Sequence, residues 1–128
     1  MLFIIKIIIP LIPPPSQFNL TINQKLVSIY KLWHEFLPHF SKDTRYTLGK
    51  KIDSLFLETI EYIIKAGYSD KLEKLIALKR ASVKLDFIKF FLQVAWEVKS
   101  LDDKKYIKLS EKINEIGKML GGWIKSLK

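Results

Sequence analysis

The 128-residue sequence contains no cysteine and only two histidines. Without thiols the chain has no disulfide framework, no thiolate metal site and no cysteine nucleophile, which favours a reducing, cytoplasmic location. The histidines, His34 and His39, lie near Glu35. However, Glu35 and His39 are separated by a Glu-x-x-x-His spacing that includes Pro38, whereas a di-metal bundle uses Glu-x-x-His pairs. We therefore expect no bound metal and no other cofactor.

Long hydrophobic runs are also missing, apart from the N-terminal segment MLFIIKIIIPLI at positions 1–12. This segment is too short to span a bilayer as a helix, which needs about 20 apolar residues. It also lacks the preceding basic residues and the small-residue cleavage site of a secretory signal. It could be a strand that pairs with a partner, a membrane-surface anchor, or an artefact of where the reading frame was started. We place residues 1–20 outside the fold.

Catalytic motifs are absent from the sequence as well. No P-loop, dinucleotide fingerprint or nucleophile elbow is present. The sequence therefore predicts neither an enzyme nor a small-molecule substrate.

What the chain does contain is apolar residues at helical spacing. The C-terminal stretch carries them in alternating steps of three and four, the seam of one helix face: Tyr106, Leu109, Ile113, Ile116, Leu120, Trp123 and Leu127. A first helix should run from Thr21 to about Leu37, a second over 42–66, a third from Asp70 to about Lys99, and a fourth from Asp102 onward. Because every connection is short, residues 21–128 are predicted to form an all-α, antiparallel up-down-up-down four-helix bundle.

The third helix is apolar on two opposite faces. We expect the first to point inward: Leu72, Ile76, Val83, Phe87, Phe90, Val94 and Val98. The second we interpret as a subunit interface, together with outward residues of the second helix: Leu78, Leu85, Ile88, Leu92 and Trp96, with Leu57, Ile60 and Ile64. The alternative is a central third helix that packs on both sides within one chain.

The formal net charge of +9 favours a polyanionic partner. Two pairs of cations have helical spacing suited to backbone phosphates: Arg80 with Lys84, and Lys42 with Arg45. Lys79 and Lys51 are weaker candidates. A lysine-rich solvated surface would give the same pattern without any nucleic acid.

Three stretches resemble a known family: YKLWHEFLPHFSKDTRYTLGKKI at 30–52, LIALKRASVKLDF at 75–87 and INEIGKMLGGWIKSLK at 113–128. They are similar to the bacterial four-helix-bundle family that includes the accessory variability determinant of diversity-generating retroelements and proteins encoded in intervening sequences of large-subunit ribosomal RNA. The resemblance covers about residues 25–127, and the first 20 residues have no counterpart in it.

The resemblance implies a homopentameric barrel with a basic surface that binds DNA or RNA and, in retroelements, the reverse transcriptase. The family's basic pair on the third helix falls on Arg80 and Lys84, and its basic position ahead of the RYTLG-like segment falls on Lys42, with Arg45 inside that segment.

We therefore predict a non-catalytic, nucleic-acid-binding accessory subunit of a retroelement reverse transcriptase that copies template RNA into mutagenised cDNA. The first alternative is an oligomeric protein-interaction scaffold of the ribosomal intervening-sequence type. A second alternative is a membrane-surface protein held by residues 1–12 and the basic residues.

Overall fold

The computed structural model describes the backbone of residues 17–128 and the side chains of residues 21–128. These residues form four long helices and no strand. The long helices are α1 (Gln17–Phe36), α2 (Lys50–Gly67), α3 (Lys71–Glu97) and α4 (Asp103–Ser126). The all-helical four-helix architecture is as predicted, although α1 begins before the expected Thr21. The predictions for residues 1–16 lie outside the described residues.

The helices pack as antiparallel neighbours. Lys25 of α1 pairs with Glu115 of α4 at 3.1 Å, and the Lys112 amine, one turn earlier on α4, donates to the Ser28 hydroxyl, one turn later on α1, at 3.1 Å. The contacts run in opposite order along the two helices, which shows that α1 and α4 are antiparallel. The neighbours of α3 are α2 and α4, and α1 closes the bundle between α4 and α2.

Two aspartates fix the starts of the later helices, as predicted. The Glu73 N–H donates to the Asp70 carboxylate at 3.0 Å, and the Lys105 N–H donates to the Asp102 carboxylate at 2.8 Å. Each bond satisfies one of the backbone donors that a helix start leaves unpaired.

The helical stretch predicted over 42–66 begins at Lys42 as expected, but it passes through two short turns before the regular helix α2. A 3₁₀ turn (Leu37–His39) is followed by a short α turn (Lys42–Thr44) and a π-helical turn (Arg45–Gly49) that leads directly into α2. Gly49 allows this turn to approach the preceding one, since a Cβ there would lie 2.7 Å from the Leu37 side chain. The hydroxyl of Ser41, the residue before the short α turn, donates to the Thr44 hydroxyl at 3.0 Å.

Helical spacing of apolar residues in the sequence predicts one core face on each of α1, α2 and α4, and the structure buries these faces. The buried residues on α1 and at its C-terminal end are Ile22, Leu26, Ile29, Trp33, Phe36 and Phe40. Those of α4 are Leu109, Ile113, Ile116, Leu120 and Trp123, and those of α2 include Ile52, Leu55, Thr59 and Ile63.

On α3 the predicted assignment of the two apolar faces was wrong. The buried face is the one assigned to a subunit interface: Ala77, Leu78, Ala81, Leu85, Ile88, Leu92 and Ala95. Leu85 is only 3 % exposed within a single chain, so it cannot contact another subunit. The reason is size: three of the seven buried residues are alanines, which let the α3 backbone approach its neighbours but add little to a count of large apolar side chains.

The face predicted to point inward lies on the surface instead. Phe87 is 51 % exposed and Phe90 is 58 % exposed. We call these residues the outer stripe: Leu72, Ile76, Val83, Phe87, Phe90 and Val98. Of the other predicted interface residues, Leu57 is exposed, Ile60 and Ile64 are half-buried, and Trp96 is partly exposed.

Candidate nucleic-acid interface

The predicted cations of α3 differ in their availability. Lys79 and Arg80 are exposed and have no ion pair within residues 21–128. Helical spacing places them on the two sides of the outer stripe, between Ile76 and Val83. Each can therefore present its charge to an anion beside the stripe.

Lys84 is already engaged with a carboxylate. Its amine lies 3.3 Å from the Glu58 carboxylate of α2, and both side chains are partly exposed. A solvent-exposed pair of this kind contributes at most about 1 kcal/mol, so Glu58 reduces the charge that Lys84 presents without fixing the side chain.

Arg45 forms hydrogen bonds within its own part of the chain. Its Nη2 atom donates to the backbone oxygens of Pro38 at 3.4 Å and Phe40 at 3.3 Å, while its Nε atom is buried without a hydrogen-bond partner among the described residues. The guanidinium therefore satisfies carbonyls of the α1–α2 connection. Lys42 and Lys51, by contrast, are exposed and have no ion pair within the described part of the chain.

The structure does not bring the two predicted pairs together. Lys84 lies beside Glu58, and the helical rise from Arg45 to Glu58 amounts to about 20 Å. One protomer therefore presents two separate basic regions, one near the middle of α3 and one at the end of the bundle that carries the α1–α2 connection.

We expect replacement of Arg45 with methionine, which keeps the apolar stem, to lower the free energy of unfolding by about 1.5–3 kcal/mol, because it removes charged hydrogen bonds to two carbonyls. Urea denaturation measures this effect. Lys42→Met is the matched control and should stay within about 0.5 kcal/mol of the parent protein. Unchanged stability with a flatter salt dependence of RNA binding would instead make Arg45 a phosphate contact.

Sequence reasoning missed a hydrogen-bonded cluster that ties α1 to α2. The Tyr30 hydroxyl and the Trp33 indole N–H both donate to Asp53 Oδ1, at 2.8 and 3.0 Å. Burial, together with the hydrogen bond to the Asp53 carboxylate and its charge, raises the pKa of Tyr30 to about 12. The signal in the sequence was two aromatic residues that carry hydrogen-bond donors, Tyr30 and Trp33, spaced about one helical turn apart.

His34 is exposed and stacks against Tyr30, with ring centroids 6.1 Å apart. Among the described residues no group of three or more His, Asp or Glu side chains could hold a metal ion. In the same part of the chain no helix is long and apolar enough to cross a membrane.

The fold and its surface define a small basic four-helix-bundle protein whose longest helix is apolar on the outside as well as the inside. The family model described as bAvd-like matches residues 20–127. The chain therefore belongs to the bAvd-like family, that of the accessory variability determinants of diversity-generating retroelements, and this accessory family is not itself catalytic. The chain matches no curated protein and no solved structure.

Proposed function

We propose that this protein is an oligomeric accessory subunit that joins a retroelement reverse transcriptase to nucleic acid during template-primed synthesis of mutagenised cDNA. The observation that carries the proposal is the outer stripe, with the exposed cations Lys79 and Arg80 beside it. Family membership supports the retroelement setting, and the cytoplasm is the compartment in which the proposed partners meet.

The outer stripe supplies the surface for assembly. It runs the length of α3, about 40 Å, which suits a second helix packed lengthwise better than a small ligand. Exposed apolar residues on this scale are typical of a protein interface. We assign the stripe, and also the exposed Leu57 of α2, to contacts between copies of this chain, and the family resemblance gives five as their number.

Assembly would multiply the cations that flank the stripe. Lys79 and Arg80 are then present once in every protomer of a closed ring. Their individually weak phosphate contacts add up to stronger overall binding of one nucleic acid. Phosphate contacts of this kind give affinity with little base discrimination, as an accessory factor for a template RNA requires.

Co-purification tests the proposal directly. We expect the tagged protein to retain the reverse transcriptase encoded beside its own gene and to retain template RNA, and a ribonuclease-treated sample separates protein contact from RNA bridging. Retention of RNA alone would remove the polymerase from the proposal. Location of the gene inside a ribosomal RNA operon, with neither partner retained, would favour the protein-interaction scaffold.

A further inference from the structure

A cavity of about 630 Å³ lies at the turn between α3 and α4. Its volume is within the range of small-ligand sites. Trp96 and Leu101 supply its apolar lining, and Lys99 and Lys104 are among the polar residues around it. The turn lies at the same end of the bundle as the α1–α2 connection, because the Lys105 amine stands 5.8 Å from the Phe36 ring centroid.

Trp96 is held in place by its own chain. Its ring stacks on Tyr106 with centroids 5.2 Å apart and planes 12° apart, and its indole N–H donates to the Asp103 carboxylate at 2.7 Å. Tyr106 thus covers one face and Asp103 takes the polar edge. The residue is still 37 % exposed and lines the cavity, so part of the indole is accessible from it.

The charges around the cavity are mixed, with three carboxylates and two lysines in its lining. Asp102 is engaged with Lys105, whose N–H donates to it at 2.8 Å and whose amine lies 3.2 Å away, and Asp103 is engaged with Trp96. The hydrogen bond from the Lys105 N–H is the main cause that lowers the pKa of Asp102. Lys99 and Lys104 have no ion pair in the described part of the chain, so two ammonium groups stand beside the carboxylates of Glu97 and Asp103, and each is available to a phosphate oxygen.

Lys99 occupies an unusual backbone position. It has a φ of 66°, and it ends α3 in the arrangement where Lys99 N–H donates to the Trp96 oxygen at 3.0 Å and Ser100 N–H to the Ala95 oxygen at 2.8 Å. Glycine is the usual residue there, because a side chain at positive φ costs about 1 kcal/mol. A lysine at this position places an ammonium group at the cavity despite that cost.

We propose that this cavity binds an unpaired nucleobase of a single-stranded nucleic acid, stacked on the accessible part of the Trp96 ring, with the adjoining phosphates at Lys99 and Lys104. Aromatic side chains beside cations are the usual means of binding single strands without base discrimination. The inference rests on the proposed nucleic-acid function and adds to it a place where a base, not only a phosphate, is held. Trp96 lies on the opposite side of α3 from the outer stripe, so assembly through the stripe leaves the cavity open.

The test compares a labelled oligo(U) with an abasic oligonucleotide of the same length, which has the same phosphates and no bases. Fluorescence anisotropy of the full-length protein should show oligo(U) binding about tenfold tighter. The reason is that stacking of one base on an aromatic ring contributes a binding free energy comparable to a tenfold change in affinity. Trp96→Leu should abolish that difference, and Trp96→Phe should retain most of it. Both variants lose the hydrogen bond to Asp103 equally, so their comparison isolates the aromatic face. Thermal unfolding and light scattering confirm that both remain folded and assembled.

The results separate this inference from the proposed function. Equal binding of the two oligonucleotides by the parent protein would overturn base stacking while leaving phosphate binding intact. Binding of neither would overturn both. An oligo(U) advantage that survives in Trp96→Leu would place the stacked base elsewhere and overturn the assignment to this cavity.

Discussion

Replacing Phe87 and Phe90 with aspartate should convert the assembled protein into a folded monomer. Both side chains lie in the outer stripe and are more than half exposed in the single chain, so two charges there cost the protomer little. At an interface between copies, the same charges are desolvated beside apolar surface and beside their symmetry mates, which costs several kcal/mol for each unpaired ion. Light scattering at micromolar concentration measures the mass, and circular dichroism follows the helical content.

Leu85→Ala is the matched control for that experiment, because Leu85 lies on the opposite face of α3 and is buried within the chain. It should lower the free energy of unfolding by about 2–5 kcal/mol, the usual cost of such a cavity. The protein that remains folded should still assemble. A parent protein that is monomeric at micromolar concentration would contradict the assembly, and unfolding of the aspartate variant would contradict the assignment of the two faces.

Helix α3 shows where sequence periodicity stops being informative. The helices α1 and α4 each have one apolar face and one polar face, so their core residues could be read directly from the spacing. On α3 both faces are apolar, and the larger residues lie outside. Periodicity identifies the two stripes but not which of them meets the other helices of the same chain, because alanines that permit close packing contribute little to the pattern.

The cations of the candidate site could be predicted from the sequence, but their partners in the folded chain could not. The sequence identifies Lys79 and Arg80 as cations on one helix, and the structure leaves both exposed. It does not reveal that Lys84 meets Glu58 or that Arg45 bonds to the oxygens of Pro38 and Phe40. Those partners belong to other helices and turns, whose relative positions are fixed only when the bundle closes.

The contacts of Trp96 within its own chain could not be predicted, for a reason that combines both effects. Trp96 continues the face of Leu85 and Leu92, so the sequence grouped all three as an interface. At the end of α3 the indole stacks on Tyr106 and hydrogen-bonds to Asp103, both of which lie in the first turn of α4. A tryptophan at the end of a core stripe is thus only partly covered.

Replacing Lys79 and Arg80 together with alanine should have the largest effect on nucleic-acid binding. Each lost phosphate contact reduces the slope of log affinity against log salt by about 0.7 for a single strand or 0.9 for a duplex. Because assembly repeats both residues in every protomer, we expect the affinity for RNA at low salt to fall by about tenfold or more while the mass of the assembly is unchanged. Gel shift and anisotropy over a salt series measure the affinity and the slope together.

The matched control removes the same charge from another face: Lys108→Ala with Lys118→Ala on α4, two exposed positions away from the outer stripe. We expect this variant to lose much less affinity, and Lys84→Ala alone to have a small effect because Glu58 already shares its charge. Glu58→Gln should act in the opposite direction, since it frees the Lys84 amine for a phosphate. If the α4 variant lost as much affinity and slope as the α3 variant, binding would follow the net charge of +9 rather than the cations beside the stripe.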